Sequence, residues 1–314
     1  MIFTTTLSQM AFLFSLIIIG YILAKIDVVP KNAEASISKL ETNVFVPALV
    51  LGTFMNNFTV EKLSKTGSIF LASIAIEAVV IPLSLFLVRL VAKDTYTRNI
   101  YAYGLCFSNF GFMGNAVVKA LYPEIFLEYL LFTIVLWIAI YMWGVPVLLM
   151  DHENGKPTIK SRLKNFLNPM FIAMIVGMII GLTGLKLPGF VNNVVTTLGD
   201  CMSPLAMILT GITVARINLL EILKKWSIYI VTFIRLIAFP LVFVLIARLF
   251  NIDRTMSLLA LCSLAMPLGL NTVVVPASFG KDTRVASGMA LISHLLSCLS
   301  IPLVFWLFDL IIPV

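Results

Sequence analysis

RNIYAYGLCFSNFGFMGNAVVKALY, residues 98–122, is long and apolar enough to cross a bilayer, yet its middle carries Asn109, Gly111, Gly114 and Asn115. A continuous lipid-facing helix has little use for such a cluster. A helix that breaks at mid-membrane and restarts needs polar, flexible residues there. RTMSLLALCSLAMPLGLNTVVVPASFG, residues 254–280, repeats the pattern with Pro267, Gly269 and Asn271 at its centre. The two stretches read as a pair of broken spans and as the expected site of solute binding.

The rest of the chain fits a membrane protein. It has 314 residues, 60% of them hydrophobic and 12% charged, with a mean hydropathy of +1.05. A soluble domain carries roughly 25% charged residues. The net charge of +7 does not point to nucleic acid, because the basic residues sit between apolar runs rather than on one polar face. Cys106, Cys201, Cys262 and Cys298 all lie in apolar segments without a CxxC pair, which fits buried packing better than disulfides or a metal. The first apolar run, from Leu7, has no basic segment before it and no cleavage site after it, and reads as a retained span.

A span needs ~20 apolar residues. Ten stretches qualify, at roughly 7–24, 42–58, 67–88, 99–121, 127–150, 167–185, 192–215, 226–247, 255–280 and 285–308. The odd-numbered loops hold fifteen Lys and Arg and the even-numbered loops five, which places the odd loops in the cytoplasm and both termini outside. Shifting the chain by 156 lays Arg98, Leu105, Cys106, Asn115, Val117 and Val118 on Arg254, Leu261, Cys262, Asn271, Val273 and Val274. Each half then holds five spans, and an odd number forces the second half to insert upside down. The expected fold is all-α and integral to the membrane: ten transmembrane helices in two inverted five-helix repeats, with broken, crossing helices 4 and 9. The first repeat takes residues 1–150, a cytoplasmic connecting loop 151–166, and the second repeat 167–314.

Each restarted half-helix exposes unpaired N–H groups at its N-terminus, backed by about half a positive charge of macrodipole. Two such ends facing one cavity make an anion site without a basic side chain. Asn109 is expected to cap or to donate to a ligand. Gly111 and Gly114 allow close approach, and Pro267 breaks the helix. Asn115 and Asn271 are placed to bind a carboxylate or each other. The competing reading is that these residues only kink and pack helices.

The motifs NFGFMGNAVVKALY at 109–122, NPMFIAMIVGMIIGLTGLKLP at 168–188, SPLAMILTGITVA at 203–215 and AMPLGLNTVVVPASFGKDTRVASGMALISHLLSCLSIPLV at 265–304 resemble the auxin efflux carrier family in its short bacterial form. That family includes plant auxin exporters and bacterial permeases assigned to malate or malonate. The resemblance covers essentially the whole chain. It implies a scaffold of spans 1, 2, 6 and 7 and a mobile transport domain of spans 3–5 and 8–10. It also implies that Asn109 lies at the first crossing and Pro267 with Asn271 at the second. The sequence departs from many plant members in two ways. The middle loop is only about 15 residues, and Ser108-Asn109-Phe110-Gly111 stands where they often carry a proline.

Glu77 and Arg235 are the costliest residues to bury. Each precedes a proline by five, so they occupy equivalent places in the two halves. They read as an internal ion pair, or as a proton or sodium site (Glu77) and an anion attractor (Arg235). His294 reads as a packing residue or a proton relay. Lys119 is expected to snorkel, and Asp200 to cap its helix or to lie at the domain boundary. Pro47 and Pro204 are scaffold candidates beside the substrate. Gly52 and Gly211 serve sliding or packing.

The expected function is secondary transport of a small organic anion, a carboxylate such as malate, malonate or an auxin-like acid, by elevator-type alternating access in the cell membrane. The alternative is a sodium-coupled symporter of the bile-acid-carrier type. No P-loop is present to couple ATP, and no GxSxG or paired carboxylate supports an enzyme. A sensor or channel lacks an output domain. No cofactor, metal or nucleic acid is expected, beyond a proton or sodium as coupling ion. The expected assembly is a homodimer through the scaffold.

Overall fold

The computed structural model describes residues 2–30, 33–149, 167–216, 224–278 and 281–313. The connecting loop expected at 151–166 lies outside the described residues. The described chain is helical, and its one strand-like feature is an isolated antiparallel bridge between Ser108 and Leu268. Five helical stretches are long and apolar enough to cross a membrane, 66–91, 123–149, 189–215, 226–249 and 284–311, and four shorter apolar helices accompany them.

The helices run in the order α1 (Ile2–Lys25), α2 (Ala33–Leu40), α3 (Val46–Asn57), α4 (Val60–Val91), α5 (Thr95–Cys106), α6 (Asn115–Leu121), α7 (Phe126–Ala139), α8 (Pro169–Thr183), α9 (Gly189–Ala215), α10 (Trp226–Phe233), α11 (Phe239–Leu249), α12 (Arg254–Leu264), α13 (Asn271–Ser278) and α14 (Arg284–Ile311). Within the described residues each apolar stretch read from the sequence is mainly helical, and those holding α5–α6 and α12–α13 are interrupted near their centres.

Several helices widen into π turns, and proline accounts for those outside Phe110–Gly114. A proline lacks an N–H and its ring crowds the carbonyl four residues back, so the preceding turn loosens. The π turn Glu41–Phe45 runs into Pro47, Ile234–Ala238 into Pro240, and Ile140–Leu149 contains Pro146. Helix starts carry their own signals. Asp94 accepts from the Thr97 N–H at 2.7 Å, Asp253 from Met256 at 3.0 Å, and Asn168 from Phe171 at 3.1 Å with Pro169 following. Gly184, with φ of 66°, ends α8 in the left-handed conformation that glycine adopts without strain.

Two packing groups result. In the first, α1 lies along α9, and α3 lies against both α8 and α9. Gly20 and Gly211 bring α1 and α9 into backbone contact, since a Cβ on Gly211 would collide with the Ile17 carbonyl and one on Gly20 with that of Ile208. Gly211 therefore packs one helix pair tightly rather than lubricating a sliding surface. In the second group α4 packs on α5, α7 and α12, and α14 on α10 and α11; α14 also lies along α1, which joins the two groups. An ion pair between Arg216 and Glu34 at 2.5 Å, with Arg216 also donating to the Val29 and Pro30 carbonyls, ties the end of α9 to the α1–α2 connection.

Candidate functional site

The two interruptions meet. After Cys106 the chain turns extended at Phe107, and α12 stops at Leu264, ahead of Pro267. The extended segments then pair antiparallel around Ser108 and Leu268. The Asn109 N–H donates to the Pro267 carbonyl at 2.7 Å, and the Gly269 N–H donates to the Phe107 carbonyl at 3.3 Å. Ser108 Oγ donates to the Ser263 carbonyl at 2.8 Å, and the Leu268 N–H donates to Ser293 Oγ at 3.3 Å. Gly269 is required by this approach, because a Cβ there would lie 2.9 Å from the Phe107 carbonyl oxygen.

Beyond the crossing both chains become helical again. The first hydrogen bond of the upper half is Gly114 N–H to Asn109 O, and the first of the lower half are Thr272 to Gly269 and Val273 to Leu270. The N–H groups ahead of them, on Phe110 to Met113 and on Leu270 and Asn271, have no hydrogen-bond acceptor among the described residues. Phe110, Gly111, Phe112, Leu270 and Asn271 line one small cavity of about 20 Å³ with Asn109, Tyr103 and Trp137. That space fits one water. It shares Gly111, Phe112 and Trp137 with a cleft of about 240 Å³ bordered by Thr42, Asn43 and Asn168. A larger cavity, about 590 Å³, lies elsewhere, against α10 and α14. Its walls are mainly aliphatic and aromatic, such as Trp226, Phe233 and Leu299, so it offers little to orient a polar solute.

Several side chains do something other than expected. Asn109 does not cap the restarted helix; its Nδ2 lies 2.9 Å from His294 Nε2. Asn115 and Asn271 do not bond to each other. Asn115 Nδ2 donates to the Gly111 carbonyl at 2.7 Å, holding the π turn, and Asn271 Nδ2 donates to Tyr103 Oη at 2.9 Å. Glu77 and Arg235 form no direct ion pair. The Arg235 guanidinium, 1% exposed, donates to the carbonyls of Leu105, Ser263 and Met266 at 2.9, 2.8 and 3.3 Å. It thereby satisfies the carbonyl ends of both first halves, where the macrodipole favours a cation. Glu77 is buried on α4 with Oε2 unbonded.

Asp200 lies inside α9 rather than at its start, so it does not cap that helix. It forms an ion pair with Lys119 at 2.7 Å that joins α6 to α9. The pair borders a cleft of about 140 Å³ with Gly52, Asn56 and Asn57. The larger cleft touches α3 only at its first residue, Val46, whereas the smaller one runs along the helix from Ala48 to Asn57. Pro47 and Pro204 stand on α3 and α9 and border neither the crossing cavity nor these clefts.

Sequence reasoning missed Tyr103 and Trp137, which lack any pattern cue. It also missed Glu41, fully buried with both carboxylate oxygens unbonded. No cluster of His, Cys, Asp or Glu suited to a metal occurs among the described residues, and the four cysteines are free.

The profile of the membrane transport protein family, which is auxin efflux carrier-like, matches residues 5–305. No curated protein matches the chain.

Proposed function

The chain belongs to the membrane transport protein family, and on that premise we propose that it is a secondary carrier of a small organic anion, bound where the two broken helices cross. One observation carries this reading. Two half-helices restart at a shared crossing, and residues there whose N–H groups have no acceptor among the described residues line a single cavity; a carboxylate is a partner that such donors complete.

The wider architecture follows the same reading. Ten spans form two inverted five-helix repeats. The group built on α1, α3, α8 and α9 serves as the scaffold and pairs two copies in a homodimer. The group built on α4–α7 and α10–α14 is the transport domain, moving elevator fashion. The antiparallel crossing and the packing within each group support this division. With the odd loops in the cytoplasm, the Thr42–Asn43–Asn168 cleft opens inward, and the Lys119–Asp200 pair latches the outer side. The protein sits in the cell membrane with both termini outside.

A thermal-shift screen of the purified carrier tests the reading, using malate, malonate, oxalate, lactate and indole-acetate with and without sodium. At least one carboxylate is expected to stabilise the protein, and labelled acid should exchange into preloaded proteoliposomes. Stabilisation by organic cations or neutral sugars, with no carboxylate effective, refutes it. Strict sodium dependence favours the symporter alternative.

A further inference from the structure

His294 lies on α14 with its ring fully enclosed, 2% exposed, and both nitrogens engaged. Nδ1 is 2.7 Å from the Ala290 carbonyl oxygen. A carbonyl only accepts, so Nδ1 carries the proton and the neutral ring offers a lone pair at Nε2. That lone pair is met by Asn109 Nδ2 at 2.9 Å. The amide is therefore oriented by the imidazole: Nδ2 is held by the ring, and Oδ1 is the atom left for the crossing cavity that Asn109 lines. In this state Asn109 shows the cavity an acceptor, the wrong polarity for a carboxylate.

We propose that His294 is a proton-operated positioning residue that sets which end of the Asn109 amide faces the anion, so that one proton travels with each carboxylate. This rests on the anion-carrier reading above and adds its coupling. A proton from water forms the N–H bond at Nε2, and the Nδ2–H···Nε2 hydrogen bond breaks. The amide rotates by half a turn about its Cβ–Cγ bond, Oδ1 accepts from Nε2–H, and the NH₂ group turns to the cavity to donate to the carboxylate. Electrostatics favours the two events together. An imidazolium alone, or a carboxylate alone, costs several kcal/mol to bury, whereas together each cancels one unit of the other's charge.

No other side chain is hydrogen-bonded to the ring among the described residues. The helices packed on α14 bring Tyr96, Arg98, Tyr101, Tyr103 and Cys106 (α5), Tyr229 (α10), Arg248 (α11), Tyr21 and Lys25 (α1), and Asp200 and Cys201 (α9). Arg235, on the π turn against α14, is committed to backbone carbonyls. α14 itself carries Arg284, Cys298 and Asp309. Arg284 pairs with Asp282 and Asp309 with Arg254, and none of these side chains hydrogen-bonds to the imidazole.

The chain has two histidines, so His152→Gln leaves His294 as the single imidazole signal. In that variant, nitrogen-15 spectra of labelled histidine are expected to show the Nδ1–H tautomer in the empty protein and a doubly protonated ring when malonate is added. A pH-indicator dye in weakly buffered solution at neutral pH should record uptake of one proton per malonate bound, and none in His294→Gln. Should His294→Gln fail to fold, the nitrogen spectra and the wild-type proton count decide the matter alone. Malonate binding with no proton uptake, or with an unchanged neutral ring, overturns the coupling and leaves the carrier reading standing. If no carboxylate in the screen binds, the anion reading itself falls and takes the proposal with it.

Discussion

Arg235→Lys isolates what the guanidinium does at the crossing. Both side chains carry one positive charge at the same depth, so the cost of burial and the attraction to nearby Glu77 largely cancel. What changes is geometry. The planar fork reaches Leu105, Ser263 and Met266 carbonyls at once, whereas a compact ammonium on a flexible stem does not span three acceptors on two chains. Loss of two such contacts, each worth about 1.5–2 kcal/mol for a charged donor, amounts to about 3–4 kcal/mol. At about 2 °C per kcal/mol for a chain of this size, the melting temperature should fall by ~6–8 °C. The fall is to be followed in detergent by tryptophan fluorescence, since Trp137 packs on Gly111 beside the crossing. Arg235→Met, which removes the charge as well, should expose the same carbonyls. A lysine variant melting within a degree of the wild type would show that the crossing does not depend on the fork.

Gly269→Ala should destabilise by about 1–3 kcal/mol, because its Cβ meets backbone that cannot yield; an unchanged melting curve would contradict the close approach. Lys119→Ala and Asp200→Ala should each change stability by under ~1 kcal/mol, the pair being partly exposed. On the proposed latch reading each should still shift the inward–outward balance, seen as altered accessibility of a cysteine placed at Asn56, and the double swap Lys119→Asp with Asp200→Lys should restore it. Asp94, outside the membrane, has its carboxyl held below the usual range mainly by the Thr97 N–H. Its contribution to stability is present above its unfolded-state pKa and lost as pH falls through the folded-state value. Asp94→Asn keeps a good cap, so it should match the wild type at neutral pH and soften the acid-induced loss; identical acid melting profiles would count against this.

The breaks were legible because they violate a local rule. Asn, Gly and Pro at the centre of an apolar stretch make no sense for an unbroken span, and both interruptions fall where those residues are. The π turns were legible in principle from Pro47, Pro146 and Pro240, since the crowding of a preceding carbonyl is local chemistry. The Asn115 bond to the carbonyl four residues earlier was equally local, and reading that asparagine as a ligand overlooked it. Other contacts had no signature. Lys119 and Asp200 are 81 residues apart, and Asn109 and His294 are 185 apart. Symmetry placed Arg235 opposite Glu77, but it could not reveal that two helix ends would bring carbonyls nearer than the carboxylate.

The need for two breaks rather than one follows from what hydrocarbon demands. A single extended segment at mid-membrane strands donors and acceptors alike. Here each segment supplies the other: Asn109 N–H with Pro267 O, and Gly269 N–H with Phe107 O. Arg235 takes the carbonyls of Leu105, Ser263 and Met266, Tyr129 Oη donates to that of Phe110, and Thr272 Oγ1 to that of Gly269. The donors of Phe110 to Met113, Leu270 and Asn271 receive no such partner among the described residues. The carbonyls of Cys106, Ser108 and Leu268 likewise receive no donor among the described residues, so the crossing keeps open groups of both kinds. On the proposed function, an anion with several lone pairs completes the open N–H groups, and a protonated His294 would turn the Asn109 Oδ1 acceptor out of its path.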